Sequence, residues 1–138
     1  VLSNTLNTNE VKNAAGTEVE FSRLSISERQ TEFAQIAETP SAPHRLKVAH
    51  QESGGGINKR RRSVIRVDKT VISSVDSETP VTVSAYTVLD APIGALTAGT
   101  EMANVLAELG SFVWTNATNT HLYDGTGNGA TVLLSGGL

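Results

Sequence analysis

The chain has 138 residues and no cysteine, with 38% hydrophobic, 18% charged and 4% aromatic residues and a formal net charge of -3. That length is one domain, large enough for a hydrophobic core without covalent staples. The missing thiols exclude disulfide scaffolds, Cys-ligated zinc, iron–sulfur clusters and thiol nucleophiles.

The charges are distributed unevenly. Residues 1–44 hold three basic and six acidic side chains, residues 45–69 eight basic and two acidic, and residues 70–138 six acidic and no Lys or Arg. A cationic stretch of that density can bind phosphate whatever the whole-chain balance. No apolar run reaches the roughly 18 residues of a membrane span. The polar start VLSNTLNTNE lacks the basic flank and apolar stretch of a signal peptide. On that ground the product is expected to stay where it is made, and Val1 fits removal of an initiator methionine.

Taken in chain order, segments 2–12 and 17–26 are expected to form an N-terminal hairpin (1–26) around Asn13-Ala14-Ala15-Gly16, with Val19, Phe21, Leu24 and Ile26 as apolar positions. Residues 30–38, QTEFAQIAE, bring Phe33 near Ile36 and fit helix or strand by pattern; the neighbouring strands favour strand. The prolines of Thr39-Pro40-Ser41-Ala42-Pro43 mark a connection. In His44–Gln51, Leu46 and Val48 share one strand face and Arg45 and Lys47 the other. Beyond the Gly54-Gly55-Gly56 turn, strand period sets Ser63, Ile65, Val67 and Lys69 opposite Arg60, Arg62, Val64, Arg66 and Asp68. A turn at Asp76–Pro80 leads to a strand in which Tyr86, Val88 and Asp90 alternate with Thr87 and Leu89. Three consecutive antiparallel strands follow from these short connections, completing a sheet over 30–91.

The helical period begins only after these strands. Met102, Val105, Leu106, Leu109, Phe112 and Val113 form one apolar stripe, which predicts a helix over 97–114, capped at Thr100-Glu101 or at Thr97. The tail 116–138 carries turn signals at Asp124-Gly125 and Gly127-Asn128-Gly129 and is expected to be a hairpin or a loose arm. One helix of about 16 residues, roughly 24 Å long, cannot hide an open sheet or protect its edge strands. Dimerisation is therefore expected.

Catalysis finds little support. His44, His50 and His121 are far apart, and GxSxG and Walker patterns are absent. Gly125–Gly129 reads as a turn rather than a phosphate loop, and Asp124 lacks EF-hand spacing. Asn116-Ala117-Thr118 matches a glycosylation sequon by chance in a chain without a secretory signal. The chain is read as a non-enzyme with no cofactor and no metal site.

The basic cluster is the feature above background. Alone, KRRR is as often a solvated loop or a targeting tag. Its setting argues for more: Arg45 and Lys47 on one strand, Arg60, Arg62 and Arg66 on the next, and Tyr86 on the third form a single cationic face. Guanidinium forks suit phosphate oxygens, and a tyrosine ring stacks on an unpaired base. Single-stranded or hairpin RNA fits this better than duplex DNA, because no helix is basic. The plain alternative for Tyr86 is a half-buried strand aromatic.

The order of a hairpin, RLKVAHQESGGGINKRRRSVIRVDK, SAYTVLDAPIG and the helix TEMANVLAELGSFVW resembles the coat proteins of single-stranded RNA bacteriophages, the leviviruses, over roughly residues 1–114. The resemblance implies an α+β fold: an N-terminal β-hairpin, a five-stranded antiparallel sheet and a C-terminal helix that packs across a partner subunit. It implies a homodimer, an icosahedral shell in a virion assembled in the bacterial cytoplasm, and an inner face that binds a genomic RNA hairpin and represses translation. On that pattern Leu46, Val48, Ile65, Val67 and Leu89 face helices. Lys47, Arg62, Arg66 and Tyr86 face RNA, with Arg45, Arg60 and Asp90 next. The turn at Asp76–Pro80 corresponds to the loop gathered around symmetry axes, here without the cysteine that would allow a disulfide between dimers. The Gly- and Asn-rich tail departs from the family, whose members commonly have a second C-terminal helix. The alternative reading is a dimeric RNA-binding regulator that does not assemble further.

Overall fold

The computed structural model describes residues 2–116 and 118–137. Val1 and the central Ala117 of the sequon lie outside the described residues. Six strands, β1 (Thr5–Leu6), β2 (Phe21–Ile26), β3 (Gln30–Gln35), β4 (His44–Ser53), β5 (Arg60–Ile72) and β6 (Pro80–Ala91), precede two helices, α1 (Thr100–Trp114) and α2 (Asn128–Ser135). The strands form one antiparallel sheet in the order β1-β2-β3-β4-β5-β6. The expected hairpin and five-stranded sheet are thus one six-stranded meander, because β2 pairs with β1 on one side and with β3 on the other.

Local chemistry makes the turns. Asn13 Oδ1 accepts from the N–H groups of Ala15 and Thr17, each at 3.0 Å, and Gly16 adopts φ +78°, which a side chain would disfavour. Asp76 Oδ1 accepts from the N–H groups of Glu78 and Thr79, each at 3.0 Å, and the Thr79 hydroxyl donates to Asp76 as well. Those bonds, led by the hydroxyl, pull the Asp76 carboxyl down to about 2. Residues 30–35 are strand because both edges are paired, to β2 and to β4. The Phe33–Ile36 helical pairing is not realised: Phe33 is fully buried and Ile36 is 63% exposed.

The core sits under the N-terminal half of the sheet. Leu6, Phe21, Phe33 and Leu46 are buried together, with Val11, Val19, Val48 and Val67 packed against them. Leu46 stands in register with both Phe33 and Val67. Further along the same apolar face, cover runs out: Ile65 is 54% and Val83 66% exposed.

Both helix expectations need correction. The N-cap of α1 is Gly99, without a side-chain capping bond, and Thr100 is already helical, with Glu101 in the first turn. The tail is neither hairpin nor loose arm, since it carries α2. Of the glycines read there as turn signals, Gly125 does bend the chain, at φ +85°, whereas Gly127 and Gly129 are contact points. A Cβ on Gly129 would lie 2.8 Å from Val113 Cα, and one on Gly127 would lie 2.2 Å from the Val113 carbonyl oxygen, so α2 reaches the end of α1 only with bare backbone. The Leu122 N–H bond to the Trp114 carbonyl (2.7 Å) and the Trp114–Tyr123 ring pair (5.8 Å between centroids) tie the connection down.

Helix α1 packs against α2 and meets its own sheet chiefly at β6. Leu46, Val48, Ile65, Val67 and Leu89 do share one sheet face, as the strand pairing requires. Within one chain, however, it is the strand-hairpin core rather than a helix that buries Leu46. The stripe of α1 stays open, with Val105, Leu106, Leu109 and Phe112 all exposed.

Candidate nucleic-acid interface

Strand register builds the site. Lys47 pairs with Arg66, and Arg66 with Tyr86; Gln51 pairs with Arg62, and Arg62 with Asp90; Ser53 pairs with Arg60; Arg45 pairs with Asp68, and Asp68 with Ser84. Residues paired across antiparallel strands share a face, so Arg45, Lys47, Arg60, Arg62, Arg66, Tyr86 and Asp90 lie together on the face opposite the apolar one. Tyr86 is 63% exposed, not half-buried. Arg61, between two members of the cluster, belongs to the other face, opposite Glu52 and Ala91.

The sequence reading placed Asp68 and Asp90 on this face but missed their pairing with its cations, and it missed Glu32 and Glu38 altogether. Arg45 donates through Nε (2.9 Å) and Nη2 (2.8 Å) to the two oxygens of Glu38, and through Nη1 (3.3 Å) to Glu32. That fork, with the His44 N–H, holds the Glu38 carboxyl below its usual range. Lys47 Nζ lies 3.8 Å from Glu32, and Arg60 Nε donates to Asp90 at 2.9 Å. Arg66 Nε donates to both oxygens of Asp68, at 2.8 and 2.9 Å. Asp68 also accepts from the Ser84 hydroxyl, and it is this bond first, then Arg66, that lowers its pKa. Arg62 is exposed and has no carboxylate partner among the described residues.

The face is therefore a lattice of ion pairs with one unpaired guanidinium. Exposed pairs add only about 0–1 kcal/mol each to stability, so their effect is to orient the cations and offset their charge. The Arg66 guanidinium carbon sits 5.6 Å from the Tyr86 ring centroid, a cation–π distance.

The histidines are engaged separately. His50 Nδ1 is 2.8 Å from Ser63 Oγ, and His121 Nδ1 is 3.1 Å from Thr115 Oγ1. His44 meets the Phe21 ring edge-on, and burial lowers its pKa. Among the described residues no group of three or more His, Asp or Glu is placed to hold a metal ion. No helix there is long and apolar enough to cross a membrane.

No protein-family model and no curated protein matches the chain by sequence. Solved structures do match by shape. The coat protein of bacteriophage EMS014 superposes with a TM-score of 0.66 at 12% identity, over 87% of each chain. The capsid protein of bacteriophage GA gives 0.57 at 22% identity, over 97% of this chain and 95% of that one. A virus-like particle of bacteriophage AC gives 0.58 at 20% identity, over 86% of this chain and 96% of that one. The fold is that of the levivirus-type coat proteins: an antiparallel sheet followed by C-terminal helices. The expected departure of the tail from the family is overturned, since Asn128–Ser135 form a second C-terminal helix, α2.

Proposed function

We propose that this chain is a coat subunit: it pairs with a second copy, builds an icosahedral shell, and encloses single-stranded RNA against the cationic face of its sheet, in virions assembled in the bacterial cytoplasm. The observation that carries the reading is the two-sidedness of the sheet. One face offers an exposed ring and arginines, while the other is apolar and bare beyond its hairpin core, in a chain whose helix α1 also points an apolar stripe outward. A partner's helix over each bare sheet face satisfies both apolar surfaces at once, and two-fold symmetry makes the contact reciprocal. RNA then meets Arg45, Lys47, Arg60, Arg62, Arg66, Tyr86 and Asp90. Binding of a hairpin at this face would also repress translation of the message that carries it.

The test is to express the chain alone, measure particle mass by light scattering, record absorbance at 260 and 280 nm, and image the peak. Megadalton hollow spheres loaded with nucleic acid are the expected result. A stable dimer of about 29 kDa, twice the 14.5 kDa chain, that binds RNA and never assembles would replace the coat reading by a regulator.

Two substitutions test the face itself. Arg62→Ala removes the unpaired cation and is expected to weaken binding to all RNAs and lower the salt slope by about one. Tyr86→Ala is expected to cost about 1–3 kcal/mol of affinity through lost stacking, with the salt slope unchanged. Filter binding across a salt series reads both, and unchanged affinities for the two variants would place RNA elsewhere.

A further inference from the structure

Arg66 has the most constrained setting on the cationic face. Nε donates to both carboxylate oxygens of Asp68, Nη2 donates to Ser84 Oγ at 3.3 Å, and Ser84 in turn donates to Asp68. The three side chains close a ring beside Tyr86, toward which the guanidinium is turned. Asp68 is the more sheltered member, its side chain 22% exposed against 46% for Arg66. Asp68 and Arg66 are two apart on one strand and so share a face; Ser84 reaches them across the β5–β6 register.

The consequence is chemical. A guanidinium whose Nε edge is already saturated by a carboxylate gains little from a phosphate, because the approaching anion meets a neutral pair. What stays available is flat surface: the Tyr86 ring flanked by the Arg66 plane. A nucleobase needs that surface, and a base can offer it only when unpaired.

Resting on the RNA-binding reading above, we infer that Asp68 is a positioning and specificity residue. It holds Arg66 beside Tyr86 and cancels its charge, so that this part of the face selects an unpaired base over backbone phosphate. Arg62, unpaired, is left to meet phosphate.

The experiment compares the full-length wild type with Asp68→Asn, Asp68→Glu and Ser84→Ala. The probes are a short RNA hairpin with unpaired loop and bulge bases and a fully paired RNA duplex of equal length, each titrated at several salt concentrations. Asp68→Asn is expected to bind the duplex more tightly, to steepen the salt slope by about one, and to lose about tenfold in hairpin-over-duplex preference. Asp68→Glu keeps the wild-type preference; Ser84→Ala loses part of it, and serves alone if Asp68→Asn does not fold. A second readout needs no RNA: the Arg66 Nε–H resonance is expected to be protected from exchange in the wild type and to be lost in Asp68→Asn. Wild-type preference and slope in folded Asp68→Asn, or in Ser84→Ala if that variant stands alone, would overturn the inference while leaving RNA binding intact. Absence of binding by the wild type would sink the RNA reading and this inference with it.

Discussion

A chain carrying Val105→Asp and Leu109→Asp is expected to run as a 14.5 kDa monomer and to form no particles. The two side chains are 57% and 47% exposed within a single chain, one helical turn apart on the open stripe of α1. They contribute little to the fold of the chain that carries them and, on the proposed coat reading, much to the contact that covers them. In a symmetric dimer each substitution occurs twice, and a carboxylate buried there without a partner costs several kcal/mol. Sedimentation reads the mass. Thermal unfolding adds a second signature, since the wild-type midpoint rises with protein concentration when association stabilises the fold, and the variant midpoint stays flat. Normal particles from the double variant would show that the apolar stripe of α1 is not the contact between subunits.

Phe33→Ala is expected to cost about 3–5 kcal/mol, a large fraction of the roughly 5–15 kcal/mol that holds a domain folded. Phe33 is fully buried, stands in register with Arg23 and Leu46, and carries the Arg23 guanidinium 5.7 Å from its ring centroid. Only Leu6, Phe21 and Leu46 share that buried cluster among the described residues, so the surroundings have little with which to refill the space. Ile36→Ala, at an exposed position three residues on, is the control and is expected to change stability by less than about 0.5 kcal/mol. Urea midpoints at fixed protein concentration measure both. A loss below about 1 kcal/mol for Phe33→Ala would place the stabilising core between subunits rather than within one.

The two variants probe the same arrangement from opposite sides. The meander provides a small core around Leu6, Phe21, Phe33 and Leu46, and beyond it leaves apolar strand and helix surfaces that a single chain does not bring together. On the proposed coat reading, a chain built this way folds by itself and associates through the apolar surface it leaves bare. The bare edge of β6 adds to this, since an unpaired antiparallel edge is itself a template for a second copy.

Much of the candidate site was legible because strand period is local. Reading every second residue in His44–Ser53, Arg60–Ile72 and Pro80–Ala91 sets Lys47, Arg66 and Tyr86 each opposite the apolar residues of its own strand, and the pairing of the strands then brings the three onto one face. The same rule excludes Arg61 from that face, although composition alone counts it in the cluster. The stripe of α1 was legible for the same reason, with helical period in place of strand period. The tail was not: in one dimension Gly127 and Gly129 look like turn residues, and their use as points of backbone contact is visible only once Val113 stands against them.

The sequence by itself determined the sidedness of the strands, the place of the first helix and the concentration of positive charge, because each depends on spacing along the backbone and on nothing distant. Only the tertiary structure decided which carboxylates meet those cations. Glu32 reaches Lys47, Glu38 grips Arg45 and Asp90 holds Arg60, pairs separated by 15, 7 and 30 residues that exist only after the turns set the register of one strand against the next. Together with Asp68, two residues along the strand from Arg66, the same register turns a strongly basic segment into a nearly balanced face with one unpaired arginine and a locked Arg66–Tyr86 pair.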